Sequence, residues 1–183
     1  MAKLKAPTEF DLFATAANFI RGEFEKNTKA WLGSPFEWVL TLPSASKGRL
    51  GKRLVYQWCA LKGLSIDSSP DSDADMLINN HRVEIKFSTL WEVGIYKFQQ
   101  IRDQNYEYSV CLGISPFDAH CWVISKAILK KHVIGHMGQH TGSTGQETAW
   151  FEVNPQAPPE WLIPCGGTLD KAFSVLKSLS PKR

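Results

Sequence analysis

The sequence predicts a mixed α/β fold in which a mixed central β-sheet is flanked by helices. The hydrophobic pattern carries this prediction. Up to about residue 63, apolar residues recur at three- and four-residue spacing, as they do on the inner face of helices. From residue 64 onward, short runs of β-branched and aromatic residues alternate with turn residues, which is typical of strands. Strands combined with amphipathic helices predict a sheet covered by helices.

Three helices are expected before residue 63. Thr8 and Asp11 have the spacing of a capping box and open the first helix. Ser34, followed by a proline, has the pattern of a second helix start. A third helix is expected from Ser46 to Leu61, stopped by Gly63.

The rest of the chain is expected to alternate strands with shorter helices. Apolar residues at 95, 98 and 101 predict a helix from Ile95 to Asn105, and another is expected from Lys126 to His132. A closing helix capped by Thr168 ends the pattern. The expected strands lie in the segments LSI, ADMLI, HRVEIKF, YSVCLGI, HCWVIS and TAWFEV.

Length and composition favour a single globular domain. With 183 residues, the chain can be divided into an N-terminal helical extension, 1–45, packed on a core, 46–183. The net charge of +3 permits a polyanionic partner. The four cysteines lack the paired spacing of a zinc ribbon, so reduced thiols and a cytoplasmic location are expected. No apolar run reaches the roughly 20 residues of a membrane span, and no membrane partner is expected.

The segment DSDADMLINNHRVEIKFS, residues 71–88, concentrates charged groups in an apolar hairpin. The two asparagines at 79–80 suit a two-residue turn with positive φ. In such a hairpin, facing residues have numbers that sum to 159. Asp75 would then lie opposite Glu84, and Asp73 opposite Lys86, with Cβ atoms about 4.5–5.5 Å apart.

Side-chain alternation would gather the charged groups of this hairpin on one face of the sheet. Glu84 and Lys86 would share that face, whereas Val83, Ile85 and Phe87 would point into the core. Two opposed carboxylates repel each other, and a divalent cation or a proton would offset that repulsion. Mg²⁺ accepts one or two carboxylates together with waters and phosphate oxygens. With an ammonium to hold or deprotonate a water, this set suits metal-assisted phosphodiester hydrolysis.

The spacing of these residues resembles a known active-site motif. Asp75, followed nine positions later by Glu84, Ile85 and Lys86, is similar to the motif of the PD-(D/E)XK nuclease superfamily, to which many type II restriction endonucleases belong. The stretches VEIKFSTLWE and YKFQQIRDQNY also resemble the segment that follows the motif in such enzymes. The resemblance covers about residues 46–125.

The resemblance implies a restriction-endonuclease-like core and an activity. It implies a Mg²⁺-dependent endonuclease of the type II restriction class, which cuts double-stranded DNA at a specific sequence as a homodimer and needs no small-molecule cofactor. Asp75, Glu84 and the Ile85 carbonyl would bind Mg²⁺. Lys86 would serve the attacking water, and Gln100, or the glutamine before it, would orient water or a phosphate.

The aspartate of the motif has two alternatives. The literal Pro-Asp pair of the sequence is Pro70-Asp71, four residues before Asp75. Asp71 and Asp73 share the parity of Asp75, so either could replace it after a shift in register.

Two further regions are candidates for DNA contacts. The third expected helix carries four basic residues in its first two turns without an intervening acid: Lys47, Arg49, Lys52 and Arg53. They suit phosphate contacts, and equally a solvated helix face. The segment 132–147 is rich in glycine and histidine and is expected to be a loop, from which His140 and Thr141 could reach base edges. A structural zinc site on its histidines is the alternative.

Two other functions remain compatible with this sequence. One is a repair or recombination nuclease with the same fold and chemistry, which would prefer ends, mismatches or branched DNA. The other is a DNA-binding module without catalysis, which would bind DNA in a salt-dependent way and cleave nothing.

Overall fold

In a computed structural model, the chain is described over residues 8–138 and 147–179, without the side chains of residues 20 and 22–28. These residues form α-helices, two short 3-10 helices and two β-sheets. The helices are α1 (Glu9–Ala30), α2 (Ser44–Leu61), α3 (Lys126–His132) and α4 (Leu169–Ser178), and the 3-10 helices are Glu37–Thr41 and Glu160–Cys165. The strands are β1 (Ile66–Ser68), β2 (Met76–Ile78), β3 (His81–Thr89), β4 (Tyr96–Ile101), β5 (Tyr108–Ile114), β6 (Ala119–Ser125), β7 (Ala149–Val153) and β8 (Gly166–Thr168).

The central sheet has six strands in the order β1-β2-β3-β5-β6-β8. The pair β3 and β5 is parallel, and the other neighbouring pairs are antiparallel. The chain leaves this sheet between β3 and β5 and forms β4, which pairs with β7 in a separate two-stranded sheet. The expected mixed α/β fold, with a mixed central sheet flanked by helices, is confirmed.

Both faces of the central sheet are covered. Alternate residues of β3, β5 and β6 pack against α2 and α4 on one face: Val83, Ile85, Val110, Leu112, Cys121 and Val123. On the other face, residues of opposite parity, such as Cys111 and Trp122, pack against β4, β7 and α3. The two apolar layers hold β3 with one set of its side chains in a core and the other set beside β4.

The N-terminal segment begins as expected and then departs from the prediction. The Thr8 N–H donates to the Asp11 carboxylate at 2.8 Å, and the Asp11 N–H donates to the Thr8 hydroxyl at 3.2 Å, so the capping box is confirmed. The second expected helix is only the 3-10 helix Glu37–Thr41. It ends because Leu42, which precedes a proline, is extended at φ −74° and ψ 140°.

Three other predicted helices match the structure. The helix expected from residue 46 begins two residues earlier as α2, ends at Leu61 and is followed by Gly63 at φ +76°. The helix Lys126–His132 is α3. The hydroxyl of Thr168 accepts the Lys171 N–H at 3.3 Å and caps α4 as expected. No helix in the described ranges is both long and apolar enough to cross a membrane.

The predicted helix from Ile95 to Asn105 is wrong, because this segment contains strand β4. Phe98 pairs with Phe151 and Ile101 with Ala149, so β4 has one residue more than β7 in this interval. Gln100, at φ +55°, lies in the resulting bulge. The bulge places two buried residues of β4, Phe98 and Ile101, three positions apart, which imitates the spacing of a helix.

Candidate active site

The hairpin β2–β3 has the predicted turn. Asn79 and Asn80 adopt φ values of +50° and +62°, which suit a two-residue turn between antiparallel strands. The paired residues have numbers that sum to 159: Met76 with Val83, Leu77 with Arg82, and Ile78 with His81.

The register changes at Asp75, where β2 has not yet begun. Val83 faces Met76 in the ladder, yet its carbonyl also accepts the N–H of Asp75 at 2.9 Å. Asp75 is therefore out of register by one residue. The Asp75 carboxylate then accepts the N–H of Ile85 at 2.7 Å. The Asp75 side chain therefore occupies the place that the backbone of a neighbouring strand would have beside β3. This hydrogen bond to Ile85, and not a ladder pair, holds Asp75 next to Glu84.

The two alternative aspartates lie elsewhere in the turn before β2. Asp71 forms an ion pair with Arg82, and its carboxylate accepts the N–H of Asp73 at 2.9 Å. The expected opposition of Asp73 and Lys86 is wrong, because Asp73 lies in this turn and not on a strand. Among the three aspartates, Asp75 is the one that acts on the charge of Glu84.

Glu84 and Lys86 form an ion pair on the face of β3 opposite its core residues. The Lys86 ammonium donates to the Glu84 carboxylate at 2.8 Å and to the backbone carbonyl of Gln100 at 2.7 Å. The two side chains are only 13% and 14% exposed. The ammonium is thereby fixed between β3 and the bulge of β4.

The carboxylates of Asp75 and Glu84 experience different surroundings. Burial raises the pKa of the Glu84 carboxyl; the neighbouring Lys86 ammonium opposes that rise, and the negative charge of Asp75 adds to it. Asp75 forms an ion pair with Lys52 of α2. The expectation that a cation or a proton must offset the repulsion is incomplete, because two lysines already neutralise the pair in this structure.

Glu84 and Lys86 line an open cleft of about 670 Å³, and Asp75 contacts two of its other lining residues, Lys52 and Ile85. β2 pairs with only the first three residues of β3, so within the described residues the segment from Glu84 to Thr89 has no strand partner on that edge. The cleft lies along this edge, between the start of α2 and β4. Five basic side chains and one acidic side chain line it: Lys47, Arg49, Lys52, Lys86, Lys97 and Glu84.

The candidate DNA contacts are distributed unequally. Three of the four basic residues of α2 line the cleft, whereas Arg53 is exposed outside its lining. Gln99 and Gln100 line it from β4. His140 and Thr141 lie outside the described residues. The histidine zinc site has no support in the described ranges, where no group of three or more metal-ligating side chains occurs.

Two lining residues, Trp91 and Lys97, were missed by the sequence interpretation. A lone tryptophan has no local pattern that points to a site, since tryptophans are commonly core or interface residues. Lys97 lies in the segment that was expected to be a helix. The turn between β3 and β4 brings both residues to the cleft.

The residues present fit a divalent cation of the Mg²⁺ type. Glu84 and Ile85 line the cleft, the Asp75 carboxylate contacts the lining residues Ile85 and Lys52, and Mg²⁺ in proteins uses one or two carboxylates plus waters and phosphate oxygens. The N–H and carbonyl of one strand residue point to the same edge, so the Ile85 carbonyl lies on the Asp75 side of β3.

Comparison with known proteins identifies no family for this chain. No protein-family model and no curated protein sequence matches this chain. Among solved structures, the chain is similar to a bacterial homing endonuclease with a TM-score of 0.48 and 12% sequence identity, over 73% of this chain and 91% of that one.

Proposed function

We propose that this chain is a Mg²⁺-dependent endonuclease that hydrolyses DNA phosphodiester bonds. One observation carries the proposal: Glu84 and Lys86 pair at the free edge of β3, the Asp75 carboxylate accepts the Ile85 N–H at that edge, and the charged residues of the adjoining cleft are mainly cations. A cationic cleft attracts a polyanion, and carboxylates within a cationic cleft have an evident use when they hold a metal ion against a phosphate.

Each group has a role that follows from its contacts. Lys47 and Arg49, at the start of α2, would bind phosphates of the DNA backbone. Asp75, Glu84 and the Ile85 carbonyl would hold Mg²⁺, which when bound supplies Lewis-acid charge for the phosphate. Lys86 would position the attacking water and assist its deprotonation, with its ammonium oriented by Glu84 and by the Gln100 carbonyl.

The finer form of the proposal is a type II restriction enzyme that acts in the cytoplasm on double-stranded DNA. The described part of each chain has one such site, and cutting both strands is most simply achieved by a twofold-symmetric homodimer. A repair or recombination nuclease would use the same site on ends, mismatches or branched DNA. The two forms differ in substrate and share the chemistry.

A non-catalytic DNA-binding module is the second candidate, and one observation favours it. Lys52 and Lys86 already pair with Asp75 and Glu84, so the carboxylates can be explained as parts of ion pairs within a basic surface. Such a protein would bind DNA with strong salt dependence and hydrolyse none.

Digestion of a fully sequenced phage genome tests the proposal. The purified protein should cut this DNA with Mg²⁺ and leave it intact with chelator. Discrete fragments would identify a restriction enzyme, whereas cleavage confined to nicked, mismatched or branched substrates would identify a repair-type nuclease. Salt-dependent binding without cleavage in Mg²⁺ or Mn²⁺ would overturn the proposed catalysis and leave the binding module.

A further inference from the structure

An exposed tryptophan in the turn between β3 and β4 lines the cleft. The Trp91 side chain lines the cleft and is 47% exposed. Its backbone is fixed: the Trp91 N–H donates to the Ile95 carbonyl and the Gly94 N–H donates to the Trp91 carbonyl, both at 2.9 Å. Gly94, at φ +77°, permits this turn. The indole is therefore presented to the cleft from an ordered turn.

The ammonium of Lys97 lies over one face of the Trp91 indole. The Lys97 ammonium lies 4.2 Å from the centroid of the Trp91 ring and 5.4 Å from that of Trp150. The same ammonium lies 3.6 Å from the Glu152 carboxylate. An aromatic ring beside an ammonium in a cationic cleft combines the two features that hold single-stranded nucleic acid, a stacking surface and a charge for the backbone.

Trp91 lies close to the candidate catalytic groups. Four residues lie between Lys86 and Trp91, so their Cα atoms are at most about 18 Å apart at roughly 3.6 Å per step. The amides of Gln99 and Gln100 line the same cleft. A nucleic-acid strand whose phosphate lies at Lys86 can therefore place a nearby base at Trp91.

We infer that Trp91 and Lys97 form a subsite for one unpaired nucleobase, stacked on the indole, with the neighbouring phosphate near the Lys97 ammonium. The inference rests on the proposed function and specifies its substrate class. Bases inside a duplex have both faces covered by their neighbours, so away from duplex ends the indole can stack only on a base that is single-stranded, mismatched or flipped out. The favoured substrate is DNA with an unpaired base within a few nucleotides of the cleaved bond.

Binding measured in chelator, where hydrolysis cannot occur, tests the subsite. Fluorescence anisotropy would compare a short labelled single strand, the same strand with abasic sites, and the blunt duplex of that sequence. Trp91→Ala should weaken binding of the single strand about 5- to 150-fold and binding of the duplex less than about twofold. Trp91→Phe should retain most of the affinity, because it keeps an aromatic face.

A matched tryptophan controls for nonspecific effects of the substitution. Trp38 is 52% exposed and lies in the 3-10 helix Glu37–Thr41, outside the lining of the cleft. Trp38→Ala should leave all three affinities unchanged. In the native protein, abasic sites should weaken single-strand binding as Trp91→Ala does, and the two changes together should cost little more than either one.

The outcomes separate this inference from the proposed function. If the protein cuts DNA and Trp91→Ala changes single-strand binding no more than Trp38→Ala does, the subsite is wrong and the endonuclease stands. An equal loss for single strand and duplex overturns the subsite as well. If single-strand binding depends on Trp91 but no DNA is cut, the subsite stands and the endonuclease is wrong. Absence of any DNA binding overturns both.

Discussion

The Asp75 carboxylate accepts the backbone N–H of Ile85 at 2.7 Å, just where β2 stops accompanying β3. At this point a side chain, and not a strand, is hydrogen-bonded to β3. The rest of that edge of β3, beside Glu84 and Lys86, has no neighbouring strand among the described residues, and the Asp75 carboxylate lies at this edge. Asp75 therefore has both a structural role and a proposed role in metal binding, and mutation can separate the two roles.

Asp75→Asn and Asp75→Ala should differ in their free energies of unfolding, and both should lose the Mg²⁺-dependent activity that needs the Asp75 carboxylate. The amide oxygen of asparagine can still accept the Ile85 N–H, so we expect its free energy of unfolding to lie within about 1 kcal/mol of the native value. Alanine leaves this N–H without its partner and should cost about 1–3 kcal/mol. Urea denaturation at neutral pH measures both. Equal stabilities of the two variants would show that the hydrogen bond contributes little.

Glu84→Gln should change how stability depends on pH. Burial raises the pKa of Glu84, so the folded protein holds this proton more tightly than the unfolded chain does. The free energy of unfolding therefore falls as pH rises from the ordinary value of 4.5 through the pKa of the folded state. Glutamine does not titrate, so the variant should gain stability relative to the native protein across this window. Urea midpoints at a series of pH values provide the test, and a difference that is independent of pH would contradict it.

Lys52→Met should make the site bind metal at a lower concentration. The Lys52 ammonium pairs with Asp75 and competes with any cation for that carboxylate. Removing it should lower the Mg²⁺ concentration that gives half of the increase in melting temperature, and it should weaken DNA binding. Arg53→Met is the matched control, because Arg53 is the next residue of α2 and lies outside the cleft lining. If both variants need the same Mg²⁺ concentration for half of the increase in melting temperature, Lys52 does not compete with Mg²⁺ for the site.

Substitution at Asn79 should show how much the hairpin turn contributes to stability. Asn79 has φ +50°, which a β-branched residue adopts only at a cost of about 1–2 kcal/mol. Asn79→Val should therefore lower the free energy of unfolding by roughly that amount relative to Asn79→Gly. Both variants lose the side-chain contact to Leu179, so their comparison isolates the backbone. Guanidinium denaturation of the pair is sufficient.

The sequence was informative wherever one local pattern determined the structure. Alternation along β3 correctly separates Val83 and Ile85 from Glu84 and Lys86, and the asparagines at 79–80 correctly mark the turn. These features depend on neighbouring residues alone. The arithmetic of the hairpin holds from Met76 to Val83 and fails before it, at Asp75, where the register changes by one residue, and at Asp73, which lies in the preceding turn.

The remaining features of the cleft depend on contacts between distant segments. The bulge at Gln100 gives β4 the apparent spacing of a helix, so the strand was missed and the place of Lys97 with it. The pair of Lys52 and Asp75 joins residues on α2 and before β2 that no local pattern connects. Trp91 reaches the cleft because of the turn that follows β3.

Cleavage of supercoiled plasmid by matched variants tests the central proposal most directly. The native protein, Lys86→Met and Glu84→Gln would be compared at equal concentration in Mg²⁺, with folding checked by circular dichroism. We expect the native protein to nick or linearise the plasmid, and each variant to lose about 100-fold or more of that rate, as when a group acting on the attacking water is removed. If folded Lys86→Met cuts the plasmid as fast as the native protein, the proposed site is wrong.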